Sequence, residues 1–169
     1  MAGFYEKSRE DNRSVYISRN RRRIYPAHFH QNLEIFIARK GTYVISVNGH
    51  RLNVSDGMVV LIDSYDVHEY VECDAEDDCA VVIPYRYLDQ FNAARGGRTF
   101  AENIIDDAAL SNELLEITDK YASSTSEYTR DAAVQLILSR ILDHVRLSDE
   151  PARAEAELAR KILIYIQQK

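Results

Sequence analysis

Residues 25–41 read YPAHFHQNLEIFIARKG. His28 and His30 stand two apart, Glu34 follows four residues after the second, and Gly41 closes the run. Side chains alternate faces along a strand, so His28 and His30 point the same way. Glu34 lies at an even offset and joins them if QNL is an irregular entry into the next strand. A third histidine, His68, stands on the strand after MVVLID (58–63). Three imidazoles and one carboxylate converging inside a β-structure suit one divalent metal such as Zn, Ni, Fe or Mn. The competing reading is a polar pocket lined by the same side chains. His50, after a hairpin turn, and His144, on the polar side of a helix, are assigned no role.

Outward from this stretch the chain is β-rich up to residue 86. The runs VYIS (15–18), LEIFIA (33–38), TYVISV (42–47), HRLNV (50–54), MVVLID (58–63), HEYVE (68–72) and AVVIPY (80–85) read as strands. Asn48-Gly49 and Asp56-Gly57 supply tight turns. Many short strands at even spacing predict a small antiparallel barrel or sandwich. Alternation from Glu34, Gly41 and His68 places Phe36, Tyr43 and Tyr70 on the inner face, as candidates for contact with a small organic ligand.

Past residue 86 the period becomes helical. YLDQFNAAR forms a short helix ending at Gly96-Gly97, and Leu110, Leu114, Leu115, Ile117 and Tyr121 stripe a second. Ser124 to Glu127 resembles a capping box opening a third helix to about Leu147. Its wide apolar face carries Val134, Ile137, Leu138, Ile141 and Val145, and needs a partner: the barrel, the preceding helix or a second copy of the chain. A polar linker at 148–154 and an amphipathic helix at 155–169 complete the pattern.

The 169 residues are 46% hydrophobic and 28% charged, which suits a globular chain with a sizeable core. No apolar run approaches the ~20 residues of a membrane span. The N-terminus lacks the apolar segment of a secretory signal, so a cytoplasmic protein is expected. The net charge of -6 argues against a basic nucleic-acid face on this chain itself. Residues 1–25 are nonetheless basic, with RNRRR at 19–23, while 63–78 hold eight acids and no Lys or Arg. The simplest reading is two solvated surfaces; the other is a basic arm folded over the acidic edge. Cys73 and Cys79 flank the acidic segment DAEDD, read as a turn, and are expected as two reduced thiols facing each other across a hairpin.

The spacing His-x-His-x3-Glu-x6-Gly, matched by His28, His30, Glu34 and Gly41, resembles the first motif of the cupins. Gly57 and His68 keep the distance of the second, with Asp63, Tyr65 and Glu72 replacing its proline, glycine and asparagine. The resemblance implies an α+β chain: a cupin-like antiparallel β-barrel (double-stranded β-helix) followed by amphipathic helices. It also implies metal ligation by His28, His30, Glu34 and His68.

The wider layout resembles AraC-type transcription regulators. That implies an effector-binding barrel with its N-terminal arm at 1–86 and a helical dimerisation segment at 87–147. It further implies a linker at 148–154 and, at 155–169, the first helix of a helix-turn-helix domain that this chain otherwise lacks. The expected partners are a small-molecule effector, a second copy through Val134, Ile137, Leu138, Ile141 and Val145, and DNA only through that further domain. The expected role is sensing, not catalysis, with a stand-alone metal-dependent cupin enzyme (dioxygenase- or isomerase-like) as the alternative.

Overall fold

The computed structural model describes residues 3–9, 14–19, 23–151, 158 and 162. Its strands are β1 (Phe4–Tyr5), β2 (Tyr16–Arg19), β3 (Tyr25–Phe29), β4 (Leu33–Val47), β5 (His50–Val54), β6 (Met58–Ile62), β7 (His68–Ile83), β8 (Arg98–Phe100), β9 (Ile104–Asp106) and β10 (Leu147–Pro151). The helices are α1 (Asp89–Arg95), α2 (Ala108–Ser123) and α3 (Glu127–His144).

Two long strands organise the sheet. β4 and β7 pair antiparallel along their whole length, from Leu33 opposite Ile83 to Val47 opposite His68. The first half of β4 is flanked by β6, and the matching half of β7 by β2. The other halves are flanked by β5 and β3. β1 adds to β3 in parallel, so the sheet is mixed, and its strand path is open, not a closed ring. The two halves share one interior: Phe36, Ala38, Val60, Ile62 and Ala80 from the first meet Tyr43, Ile45, Val47, Val54 and Tyr70 from the second.

Inward positions on β4 are even before Gly41 and odd after it. The register slips around Lys40 and Gly41, where the glycine takes φ 115°, a conformation that side chains with a Cβ rarely adopt. One inserted residue flips the parity and keeps both halves facing the same core. This explains why LEIFIA and TYVISV, two strands by pattern, form one strand. The same holds for HEYVE and AVVIPY. DAEDD is not a turn: it runs inside β7, and Asp77 and Asp78 pair with Lys40 and Ala38. Cys73 and Cys79 therefore stand on one strand, opposite Tyr43 and Ile37 respectively, and do not face each other.

The outward positions of the first half carry the helices. Leu33, Ile35, Ile37, Val59, Leu61, Val81 and Ile83 share a core with Leu110, Leu114, Leu115 and Ile117 of α2 and with Val134, Ile137, Leu138 and Ile141 of α3. Those four α3 residues are at most 3% exposed within a single chain. Val145, just past α3, packs partly buried on the same cluster. The stripe expected to join two copies is consumed inside one. A helix over a sheet buries the same apolar face as a helix pair, and sequence periodicity does not distinguish the two. Arg140 adds a two-pronged bond to Glu113 across α2 and α3, at 2.9 Å for each pair.

Local signals place the helix ends. Asp107 caps α2 by accepting from the Ala109 and Leu110 amides. α3 is capped by Ser126, which accepts from Thr129, and not by Ser124. Gly57 sits at φ 80° where a Cβ would lie 2.9 Å from that of Ala108, so the turn before β6 is tied to the start of α2. The segment expected as a linker at 148–154 begins as strand: β10 pairs with β8 through Leu147 opposite Phe100. The expected helix 155–169 lies outside the described residues, apart from Leu158 and Ile162, which are helical.

Candidate metal centre

Four elements deliver the expected cluster. His28 comes from β3, His30 from the step after it, Glu34 from the start of β4 and His68 from the start of β7, where it pairs with His28. All four are buried, His68 completely. One donor atom from each lies within 4.8 Å of the others. Glu34 Oε2 is 3.2 Å from His30 Nε2 and 3.6 Å from His68 Nε2. The His28 and His68 rings lie 4.0 Å apart, centre to centre.

The tautomers follow from the backbone. Each Nδ1 faces a carbonyl: Pro26 O for His28 (2.9 Å), Asn32 O for His30 (3.2 Å) and Asp66 O for His68 (3.0 Å). A carbonyl only accepts, so each Nδ1 carries a hydrogen; the neutral His28 and His68 rings then turn the Nε2 lone pair inward, while His30 Nε2 faces the Glu34 carboxylate, a second acceptor. Backbone carbonyls orient metal-binding histidines in this way.

Inward imidazole nitrogens gathered round a buried carboxylate favour a cation among them. The titration directions express this. Burial, and then the neighbouring His68, push His28 down to about 4. Burial opposes charge on His68 and Glu34 too, but the attraction between imidazole and carboxylate prevails, for Glu34 from His30 as well as His68. His68 is held above the usual histidine value and Glu34 well below the usual carboxylate range. His68 Nε2 is buried with no hydrogen-bond partner. An orphaned inward nitrogen, three imidazoles oriented by backbone carbonyls and a carboxylate are what a divalent first-row ion requires, so the residues fit the metal that the motif implies.

The aromatic candidates divide. Tyr70 donates to Glu34 Oε1 at 2.5 Å and borders a cavity of about 190 Å3 beside the cluster. Phe36 and Tyr43 sit deeper, with rings 4.7 Å apart, and fill the interior below it. The cavity wall also holds Glu6, Arg9 and Ser18, which the sequence pattern did not mark as part of a site, and Arg23 of the RNRRR run, which could meet an anionic ligand but reads more simply as solvated. Arg23 does not belong to a solvated charge run. It pairs with buried Asp78 at 2.7 Å, donates to Ser18 O, and lies over the Phe36 and Tyr70 rings at 5.8 and 5.9 Å. The basic arm is in this respect folded against the acidic edge.

Two departures from the cupin pattern have structural consequences. Asp63 receives both terminal nitrogens of Arg95, at 2.6 and 3.2 Å, and ties the loop before His68 to α1. Tyr65 keeps the positive φ (68°) that the motif glycine would supply, and its amide bonds to His30 O at 2.8 Å. A second, larger cleft of about 600 Å3 lies beyond this loop, lined among others by Asp63, Asp66, Arg95 and Phe100. No metal-type donors converge there among the described residues, so the smaller cavity is the candidate site.

Residues 21–85 match the family described as Cupin domain. No curated protein matches the sequence. Among solved structures, ToxT from Vibrio cholerae superposes with a TM-score of 0.56 at 9% identity over 93% of this chain and 66% of its own. The AraC-like transcriptional activator CuxR gives 0.54 at 14% identity over 92% and 58%. Wild-type ToxT with an unsaturated fatty acid bound gives 0.52 at 10% identity over 79% and 56%. The chain thus spans about three fifths of the length of these proteins. The fold is that of the cupins, and the sheet together with its helices is similar in architecture to an AraC-like regulator.

Proposed function

We propose that this chain is the effector-sensing part of an AraC-type transcription regulator, with a divalent metal held by His28, His30, Glu34 and His68. The observation that carries the reading is the joint one of sheet and helices. The likeness to CuxR runs through the helical layer as well as the cupin sheet. In this chain that layer is built onto the outer face of β4, β6 and β7. A change in the pocket therefore has a packed path to the helices. When bound, the metal would offer open coordination positions to a donor ligand. The chain's own residues set what fits there: a cavity of about 190 Å3 has room for roughly six waters' worth of ligand. Ser18 Oγ, buried without a partner on its wall, offers a hydrogen bond. The effector class is accordingly a small polar molecule.

The mechanism is a population shift. An effector moves the regulator by no more than its difference in affinity for the two states. The role is non-catalytic, DNA is bound through a further domain, and the protein works as a homodimer whose contact uses surface other than the buried α3 stripe. The test uses the complete encoded polypeptide. Binding to a DNA fragment from its own upstream region is followed by fluorescence anisotropy, with and without Ni2+ and with His68→Ala. Specific binding that responds to metal in the wild type and not in the variant supports the proposal. Absence of specific DNA binding in every state overturns it and favours the enzyme reading, which the open cavity beside the same four donors also accommodates.

A further inference from the structure

We propose that Glu6, on the N-terminal arm, is a further carboxylate of the metal centre, so that metal occupancy and docking of the arm are coupled. The inference rests on the metal reading above. The arm reaches the site by strand addition: Phe4 stands opposite His28 and Tyr5 opposite Phe29, and the Glu6 amide donates to Phe29 O at 2.9 Å. The Phe4 ring stacks on the His28 ring at 5.8 Å. This register puts the Glu6 carboxylate beside His28, at the edge of the four-donor group. Its Oε2 lies 3.8 Å from His28 Nε2, the inward nitrogen whose ring partner is fixed on Pro26 O.

Glu6 is 9% exposed and forms part of the cavity wall. A carboxylate buried to this degree needs strong partners. Those it has among the described residues are at the long end of hydrogen-bond range: Tyr25 OH at 3.2 Å and Arg9 Nε at 3.3 Å. The Arg9 guanidinium is shared, lying 4.0 Å over the Tyr16 ring. A dication beside His28 supplies the missing attraction. With three neutral imidazoles, Glu34 leaves one positive charge on a bound dication, and Glu6 cancels it. A second oxygen donor also moves the preferred ion from tetrahedral zinc toward six-coordinate manganese, iron or nickel. The bland account is that Glu6 is a structural partner of Arg9 and Tyr25, and that the arm docks equally with or without metal.

Ni2+ and Mn2+ titrations by calorimetry, with amide hydrogen exchange on residues 4–9, separate the two on wild type, Glu6→Gln, Arg9→Gln and His68→Ala. Wild type is expected to bind metal and to exchange more slowly at the arm when loaded. Glu6→Gln is expected to lose about 10–100-fold in affinity and the metal-dependent protection. Arg9→Gln, which removes the alternative partner, is expected to keep that protection. Equal affinity for wild type and Glu6→Gln, or arm exchange indifferent to metal, overturns the proposal. If His68→Ala abolishes binding while Glu6→Gln does not, the four-donor centre stands and the Glu6 inference alone falls. If wild type binds neither ion, both fall.

Discussion

The two faces of β4 and β7 are built differently from the same strands. Outward, Leu33, Ile35, Ile37, Val81 and Ile83 share an apolar core with α2 and α3. Inward, an apolar floor of Phe36, Tyr43 and Ile45 gives way to His28, His30, Glu34 and His68, with the Arg23–Asp78 pair alongside. Buried area holds the outer layer, and each fully buried aliphatic contributes about 1.5–3 kcal/mol. The inner layer depends on pairing, because every polar group there is costly unless matched. Stability is concentrated on one face and chemistry on the other.

Substitution in each layer tests that division. Ile137→Asp places a charge at a position 3% exposed in the outer core. It is expected to cost more than about 4 kcal/mol and to prevent cooperative folding, read by urea denaturation. A variant that stays folded while a dimer dissociates would restore α3 as an intermolecular face. Arg23→Ala is expected to cost about 3 kcal/mol at pH 7.5, because Asp78, 2% exposed, loses its countercharge. The sign with pH is distinctive. Burial already raises the Asp78 carboxyl above its ordinary value, against the pull of Arg23, and removing Arg23 raises it further. Asp78 then takes up a proton more readily in the fold than in the unfolded chain, so the deficit shrinks as pH falls toward 5. A deficit that is constant from pH 7.5 to 5 would mean that the pair contributes through packing, not charge.

The two layers were also unequally legible from sequence. Outer residues follow simple periods, and both helices fall close to where alternation of apolar and polar side chains placed them. What periodicity left open was the partner: the stripe at Val134, Ile137, Leu138 and Ile141 reads the same whether it covers a sheet or a second copy. In the inner layer His28, His30, Glu34 and His68 were legible through spacing, since two apart on a strand means one face. Glu6 was not, and Arg23 and Asp78 showed only as a basic arm that could fold over an acidic edge, because what places them is contact between segments distant in sequence. Asp78 was obscured by its neighbours, since DAEDD has the composition of a turn and yet runs through β7. Asp63 in place of a proline was the one local hint of a buried partner, which is Arg95.

Gly41 is the joint between the two halves of β4, and its effect is intermediate. At φ 115°, Gly41→Ala is expected to cost about 1–2 kcal/mol by strain alone. If the slip at Lys40 and Gly41 is what keeps Tyr43 and Ile45 inward, the loss appears in near-ultraviolet tyrosine signals and in metal affinity as well as in the urea midpoint. An unchanged midpoint would show that the bulge is held by its neighbours and does not need the glycine.

The smallest effect on stability, and the sharpest marker of the two layers, comes from the cysteines. Cys79 faces outward, completely buried, opposite Ile37. Burial raises its thiol to about 11, so at pH 8 only about one molecule in a thousand carries the thiolate. Cys73 is half-buried at the rim of the inner cluster. Six positions along one strand separate the two by roughly 20 Å, far beyond disulfide reach. Iodoacetamide at pH 8 is therefore expected to modify Cys73 in the native protein, shifting stability by no more than about 0.5 kcal/mol. Cys79 should stay unmodified until urea unfolds the chain, and peptide mass spectrometry reads both sites. Equal labelling of both thiols in native protein, or a disulfide formed under mild oxidation, would put them across a hairpin after all and break β7 at the acidic segment.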